Sequence, residues 1–274
     1  MPVKNRFAEM LPEITAWRRE FHENPGLLYE VHRTAGRVAE LLREFGVDEV
    51  VEGIGRTGVV GVIRGKTDTS GRVIGLRADM DALPIEEARH PPYRSTVPGK
   101  MHACGHDGHT AMLLGAARYL AGTRDFDGNA VLIFQPAEEG GGGGDAMVRD
   151  GMMERFGIDA VYGMHNMPGL PVGRFAIRPG PIMASTDRFT ITIEGRGGHA
   201  ALPQRRVDAV VAGADAVERL VGYHVHRGAE GQALSGVGRE GPAGVHPAGQ
   251  HAQSREPVAA PGHQREVLEQ LAAE

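Results

Sequence analysis

The sequence predicts an α/β fold, because segments with helical periodicity alternate with short strand-forming runs. Apolar residues recur every three or four positions in the first kind of segment, and β-branched residues concentrate in the second. One of the runs is continuously apolar, which is typical of a strand buried on both faces. The helical segments are 9–21, 34–45 and 110–120, and the strand-forming runs are 58–64, 72–78, 130–134 and 159–164.

The composition is typical of a soluble globular protein and excludes several classes of partner. Among 274 residues, 41% are hydrophobic and 24% are charged, and 30 Lys and Arg against 35 Asp and Glu leave a net charge of -5. No basic tract is present, so neither nucleic acid nor an anionic membrane is expected as a partner. No apolar run reaches membrane-spanning length, and the first residues lack the apolar core of a secretion signal. Together with a single cysteine, which cannot form an internal disulfide, these features predict a cytoplasmic protein.

The first two helices are predicted from apolar residues that share one face. The helix over 9–21 ends before the turn-forming sequence at 24–26. The helix over 34–45 is followed by Gly46, which is suited to end it because glycine adopts the left-handed conformation easily. The apolar positions are Leu11, Ile14, Trp17 and Phe21 in the first helix and Ala35, Val38, Leu41, Leu42 and Phe45 in the second.

Runs 58–64 and 72–78 are predicted to be neighbouring strands, because the segment between them is rich in turn-forming residues. The second run is followed at once by Asp79 and Asp81. Acidic residues that leave the carboxyl end of a strand lie where open α/β sheets place their chemistry. The proline-rich stretch 86–100 is expected to form a loop that leads to the next motif.

The segment 101–109 concentrates metal-binding side chains. It contains the only cysteine, three of the 13 histidines and an aspartate. Such donors are typical of a transition-metal site, and the start of the following helix favours a thiolate. Cys104 and His106 are the candidate ligands, whereas His102 and His109 are expected to support them or to cap the helix. The alternative is a buried structural cysteine beside surface histidines.

Two later strand ends add further donors. Run 130–134 is followed by Glu138 and Glu139, and adjacent side chains at a strand end are expected to point in different directions. One carboxylate is then able to bind a metal while the other acts as a general base. Run 159–164 is followed by His165, a further candidate ligand. The alternatives are a solvated pair of loop charges and a hydrogen-bonded histidine, but convergence from separate strand ends favours a shared site.

Three more residues complete the candidate site. Asp79 and Asp81 are expected to orient a ligating histidine, with turn formation as the alternative. His199 lies in a glycine-rich loop between run 188–194, predicted as an antiparallel strand, and a predicted helix at 207–220. An imidazole in such a loop is able to approach a substrate and to stabilise an oxyanion.

Taken together, these motifs resemble those of the dinuclear metal amidohydrolases. The family includes hippurate hydrolase, other N-acyl-amino-acid amidohydrolases, the auxin-conjugate hydrolases and N-acetyldiaminopimelate deacetylase, and it is related to aminoacylase. The resemblance extends from Trp17 to Leu220. The matching motifs are Ala-Asp-Met-Asp-Ala-Leu-Pro at 78–84, Met-His-Ala-Cys-Gly-His-Asp-Gly-His at 101–109, Pro-Ala-Glu-Glu-Gly at 136–140, Gly-Met-His-Asn at 163–166 and Gly-Arg-Gly-Gly-His-Ala-Ala at 195–201.

The resemblance implies a phosphorylase/hydrolase-like catalytic sheet with helices on both faces, followed by an α+β, ferredoxin-like lid and dimerisation domain. Glu138 would be the general base, Asp81 would support the site, and His199 would reach an active site across a homodimer. The implied reaction is hydrolysis of the amide bond of a small N-acyl amino acid, in which Glu138 delivers a proton to the departing amino group. Two divalent ions (Mn2+, Zn2+, Co2+ or Ni2+) would be held by Cys104, His106, Glu139 and His165.

The motif positions predict three segments. These are a catalytic domain at 1–185, the start of the lid at 186–221, and an atypical tail at 222–274. Residues 221–274 lack Ile, Phe, Trp, Met, Thr, Asp, Asn and Lys but contain nine glycines and five histidines. We expect the tail to be poorly ordered, and its composition suggests a truncated or frame-shifted product. It does not match the return segment with a final histidine ligand that the resemblance implies.

Three functions remain open at this point. The first is hydrolysis of N-acyl amino acids of the hippurate or N-acetyl type. The second is deacetylation of N-acetyldiaminopimelate, which calls for cationic contacts to a second carboxylate. The third is a catalytically inactive metal-binding remnant, because loss of the return segment would leave the set of ligands incomplete.

Overall fold

The computed structural model describes residues 3–180 and 190–228, which belong to two compact units divided after residue 182. The predicted boundary near Thr186 and most of the predicted tail lie outside the described residues. No helix in the described ranges is both long and apolar enough to cross a membrane.

The first unit is an α/β domain, as the sequence predicts, built on a five-stranded mixed sheet. The predicted helices and strands form, and β1 is a strand that the periodicity did not identify. In chain order the elements are α1 (Val3–Glu23), α2 (His32–Glu44), β1 (Glu49–Ile54), β2 (Gly58–Arg64), β3 (Val73–Asp79), α3 (His106–Thr123), β4 (Asn129–Gln135), α4 (Gly143–Arg149), α5 (Met152–Phe156) and β5 (Ala160–Gly163).

The strand order is β1-β2-β4-β3-β5, so β4 lies between the two strands that were predicted to be neighbours. That prediction is wrong because β2 pairs antiparallel with β4, whereas β3 pairs parallel with β4. The third parallel strand, β5, pairs with β3. The carboxyl ends of β3, β4 and β5 therefore meet at one edge of the sheet.

The core lies on both faces of the sheet, as β4 shows. Ala130, Leu132 and Phe134 pack in the cluster that contains the buried faces of α1, α2 and α3. Val131 and Ile133 point to the other face and pack in the cluster that contains buried methionines of α4 and α5. Run 130–134 is thus buried on both faces, which confirms the prediction from its continuous apolar character.

A glycine-rich turn connects β4 to α4. Gly141 and Gly142 have left-handed φ values of 88° and 67°, which side chains adopt with difficulty. The amide of Gly143 donates a hydrogen bond of 3.0 Å to the carbonyl oxygen of Ala137. A Cβ atom on Gly143 would overlap the carbonyl oxygen of Pro136, so only glycine fits this closely packed backbone.

A buried cluster of charged side chains joins α1 to α3. Oδ2 of Asp107, in the first turn of α3, lies 2.8 Å from Nδ1 of His22 and 2.7 Å from Nε of Arg18. Nε2 of His22 lies 3.3 Å from Oε1 of Glu87, in the loop that precedes α3. The hydrogen bond to Asp107 raises the pKa of His22 even though burial opposes the charged form. We call Arg18, His22, Glu87 and Asp107 the α1–α3 clamp.

The second unit contains a short 3-10 helix, Pro203–Arg205, and α6, Ala209–Gly228, which corresponds to the helix predicted at 207–220. Residues 190–194 are not in a strand, contrary to the prediction for 188–194. A strand needs a hydrogen-bonded partner, and the described part of this unit offers only an isolated bridge between Arg196 and Val207.

Substitution of Gly143 by alanine should destabilise the domain by about 1–3 kcal/mol, because the new methyl group overlaps backbone. Gly144→Ala is a matched control, since its Cβ atom would meet the Gln135 side chain at 3.1 Å, and that side chain is able to move. Urea unfolding followed by circular dichroism measures both variants. Equal losses in unfolding free energy would contradict the proposed role of Gly143.

The clamp predicts a pH-dependent effect of His22→Gln on stability. Because the pKa of His22 is raised above 6.5, its contribution is complete below pH 6.5 and is lost as the pH rises through the raised pKa. The variant should therefore be less stable than the wild type at pH 5.5, and the difference should shrink toward pH 9. Urea unfolding across this range tests the expectation, with His90→Gln as an exposed control. A difference that is constant with pH would contradict it.

Candidate metal centre

The carboxyl ends of β3 and β4 bring acidic groups around one buried imidazole. His106, the first residue of α3, places Nε2 3.6 Å from Oδ2 of Asp79 at the end of β3. The same nitrogen lies 3.8 Å from Oε2 of Glu138 and 3.8 Å from Oε1 of Glu139, after β4. Each of the two glutamates thus directs one carboxylate oxygen toward the same nitrogen.

The proton of His106 is placed by its hydrogen bond to the backbone. Nδ1 lies 2.8 Å from the carbonyl oxygen of Asp81, which only accepts, so Nδ1 carries the proton and Nε2 is left with its lone pair. Burial lowers the pKa of His106, but the contact with Asp81 and the charges of Asp79, Asp81 and Glu139 raise it overall. Nε2 therefore lies in a strongly negative environment.

Cys104 and His165 lie next to this imidazole, and one donor atom from each of the three side chains lies within 4.8 Å of the other two. Sγ of Cys104 is 3.3 Å from Nε2 of His165, and Nδ1 of His165 donates to the carbonyl oxygen of Asn166 at 2.6 Å. Burial and the nearby charges of Glu139, Glu138 and Asp79 raise the pKa of the Cys104 thiol to about 12. Burial and these carboxylates thus oppose the thiolate that the helix start was expected to favour. A thiolate here requires a compensating cation.

Asp81 acts mainly on the backbone of the glutamate pair. Its carboxylate is fully buried and accepts hydrogen bonds from the amides of Glu138 at 2.9 Å and Glu139 at 3.1 Å. The backbone carbonyl oxygen of Asp81, rather than its carboxylate, orients the ring of His106. Oδ1 of the Asp81 carboxylate lies 3.6 Å from Nδ1 of His106. Asp81 therefore connects the strand-end motif after β3 to the one after β4.

Asp79 holds a second histidine that sequence reasoning treated as peripheral. Nδ1 of His109 donates to Oδ1 of Asp79 at 2.6 Å, and Nε2 of His109 accepts from the amide of Asn166 at 3.1 Å. Although burial opposes it, the His109 hydrogen bond and the charge of Arg77 lower the pKa of Asp79 to about 2. Asn166 was not singled out from the sequence. His106 and His109 are three residues apart and therefore lie near one helix face. This spacing was the sequence signal that His109 belongs to the same site as His106.

Gly105 allows the close approach of these segments. Its φ of 99° is left-handed, and a Cβ atom there would lie 2.5 Å from Oδ1 of Asn166. The glycine ends the irregular segment that carries Cys104 and immediately precedes the helix that carries His106. A larger residue would separate the two candidate ligands from the loop after β5.

The donor atoms fit a divalent cation. Nε2 of His106 and Oε1 of Glu139 are buried and have no hydrogen-bond partner in the part of the chain that the structure describes. Nitrogen, sulfur and carboxylate oxygen donors suit divalent transition metals. Three sets of side chains each bring donor atoms within 4.8 Å of one another and share His106: Cys104, His106 and His165; His106, Glu138 and Glu139; and Asp79, His106 and His109.

His199 belongs to the second unit and is exposed there. Its Nδ1 accepts a hydrogen bond of 3.2 Å from the amide of Ala201, which leaves Nε2 available to a ligand. Its expected contact with a substrate stays a prediction.

Several curated proteins are similar in sequence to this chain over about three quarters of its length. Hippurate hydrolase from Campylobacter jejuni is 49% identical over 210 residues, which are 74% of this chain and 54% of that protein. An N-acyl-L-amino acid amidohydrolase from Geobacillus stearothermophilus is 43% identical over 220 residues, covering 80% of this chain and 58% of that protein. The chain therefore spans about half the length of the curated relatives that it matches.

Solved structures show the same fold. A putative aminohydrolase from methicillin-resistant Staphylococcus aureus is 33% identical with a TM-score of 0.67, covering 82% of this chain and 60% of that one. A dinuclear metal-binding peptidase of the M20 family from Bacillus subtilis is 41% identical with a TM-score of 0.60, covering 64% and 48%. The model of peptidase family M20/M25/M40 matches residues 75–239. This chain belongs to peptidase family M20/M25/M40.

Proposed function

We propose that this protein is a metal-dependent amidohydrolase that cleaves N-acyl amino acids of the hippurate or N-acetyl type into a carboxylic acid and a free amino acid. The observation that carries the proposal is Nε2 of His106, which has no hydrogen-bond partner among the described residues and faces Glu138 and Glu139 beside Cys104 and His165. The names of the relatives, a hippurate hydrolase and an N-acyl-L-amino acid amidohydrolase, support the substrate class.

Cys104, His106, Glu139 and His165 would hold the metal ions, which we expect to be Mn2+, Zn2+, Co2+ or Ni2+. Such ions, when bound, supply a Lewis acid and lower the pKa of water. Asp81 fixes the backbone of the glutamate pair through its carboxylate, and it fixes the ring of His106 through its carbonyl oxygen. His106 and the backbone of Glu139 are thus held before any cation binds, which favours the geometry that a metal requires.

The two glutamates differ in exposure, and this difference supports separate roles. The side chain of Glu138 is 37% exposed, whereas that of Glu139 is 18% exposed and has one fully buried oxygen. A general base must reach both water and substrate, so Glu138 suits that role and Glu139 suits metal binding. Glu138 would accept a proton from water and deliver it to the departing amino group. His199 would stabilise the oxyanion, and a homodimer and a cytoplasmic location remain predictions.

Substitution of Glu138 by glutamine should reduce hydrolysis by about 10²–10⁴-fold, because the amide cannot accept the proton, while metal uptake is retained. The purified chain with Mn2+, Co2+ or Zn2+ would be assayed against hippurate, N-acetyl amino acids and N-acetyldiaminopimelate. Glu154→Gln, at an exposed glutamate of α5, is the control and should leave the rate unchanged.

The same assay separates the enzyme from a metal-binding remnant. Metal uptake by the wild-type chain without hydrolysis of any of these substrates would support the remnant and contradict the proposed activity. Equal rates of hydrolysis in wild type and Glu138→Gln would also contradict the proposed activity, because the hydrolysis would then not depend on Glu138.

Substitution of Cys104 by serine should weaken Zn2+ binding more than Mn2+ binding, because a soft thiolate favours Zn2+ whereas Mn2+ prefers oxygen ligands. Isothermal titration calorimetry of both ions measures the two affinities. His90→Gln, which removes an exposed donor elsewhere in the loop before α3, should change neither. If Cys104→Ser lowered the affinities for Zn2+ and Mn2+ by the same factor, direct coordination of the metal by the Cys104 sulfur would be contradicted.

A further inference from the structure

The start of α3 carries His106 but has no capping side chain. The N-cap residue is Gly105, which makes no side-chain hydrogen bond to the free amides of the first turn. Helix ends without a cap fray, and a ligand on a fraying turn would be poorly positioned. Side chains of the first turn therefore hold it in place: His106 contacts the backbone of Asp81, and a further contact attaches the turn to α1.

Asp107 supplies this contact from the position next to His106. Its side chain is 1% exposed, and its Oδ2 makes both the 2.7 Å ion pair with Arg18 and the 2.8 Å contact with His22. Oδ1 has no hydrogen-bond partner among the described residues, so Oδ2 carries the connection to α1. Arg18 and His22 are four residues apart and thus lie on one face of a 21-residue helix.

The other end of the clamp reaches the loop that leads to Cys104. Nε2 of His22 contacts Oε1 of Glu87, and Oε2 of Glu87 accepts a hydrogen bond of 2.8 Å from the amide of Ser95. A single imidazole on α1 therefore contacts both the start of α3 and the preceding loop. The segment that carries Cys104 lies between these two attachment points.

We propose that Arg18, His22 and Asp107 are positioning residues that fix the segment 104–106 for metal binding, although none of the three is a ligand. This inference rests on the proposed metal centre. Ligating groups must be held within about 0.5 Å of their productive positions, and loss of residues that support ligands typically weakens metal binding by about 10–100-fold. A simple helix-dipole role for Asp107 would not require Arg18.

Calorimetry of Mn2+ binding to the purified chain tests the inference. Asp107→Asn should raise the Kd by about 10–100-fold. Arg18→Gln should raise it in the same direction, and Arg18→Lys should retain most of the affinity because it keeps the charge. With Co2+, both charge-removing variants should weaken the absorption band that reports the bond between Cys104 sulfur and the metal.

Arg37→Gln is the matched control, because Arg37 forms an ion pair with Glu20 of α1 at 3.4 Å but belongs to α2. It should lower stability slightly and leave the Kd unchanged. Arg18 is 35% exposed, so Arg18→Gln decides the question if Asp107→Asn does not fold. An unchanged Kd in the folded variants, when wild type binds Mn2+, would overturn this inference alone. A wild-type chain that binds no metal would overturn the proposed metal centre and, with it, this inference.

Discussion

The concentration of negative charge around His106 is the constraint on which the rest of the site depends. Asp79 and Asp81 are fully buried, and Glu138 and Glu139 face the same imidazole nitrogen. Buried carboxylates are costly unless other groups compensate them. Arg77 and His109 compensate Asp79, and two backbone amides compensate Asp81. Burial and the remaining negative charge raise the pKa of Cys104, and the negative charge raises the pKa of His106 although burial opposes it. The same excess of negative charge favours a divalent cation between the two side chains.

Local patterns in the sequence were sufficient for most elements of the first unit and for the gathering of the donors, although they missed β1, α4 and α5. The continuous apolar run at 130–134 predicted a strand with two buried faces, and β4 has them. The donors after β3, β4 and β5 meet because these three strands are parallel, so that their carboxyl ends share one edge. In such a sheet, the position of a residue just after a strand indicates its place in the fold.

Contacts between distant segments could not be predicted in the same way. The insertion of β4 between β2 and β3 depends on pairing across the whole sheet, and the turn between the two earlier strands carries no sign of it. The contact of His22 with Asp107 joins residues 85 positions apart, and the amide of Asn166 reaches His109 across 57 positions. Such polar contacts have no periodicity, because each depends on the packing of whole elements.

Three buried aspartates compensate for the irregular backbone that carries the candidate ligands. Cys104, Glu139 and His165 lie in loops, and His106 lies at an uncapped helix start. Asp81 fixes the loop after β4, Asp79 fixes His109 and through it the backbone at Asn166, and Asp107 fixes the start of α3 to α1. Each carboxylate joins one ligand-bearing segment to a second element of the domain. The proposed metal site would therefore owe its rigidity to buried charge rather than to regular secondary structure, which accounts for the buried aspartates that lie so close to the candidate ligands.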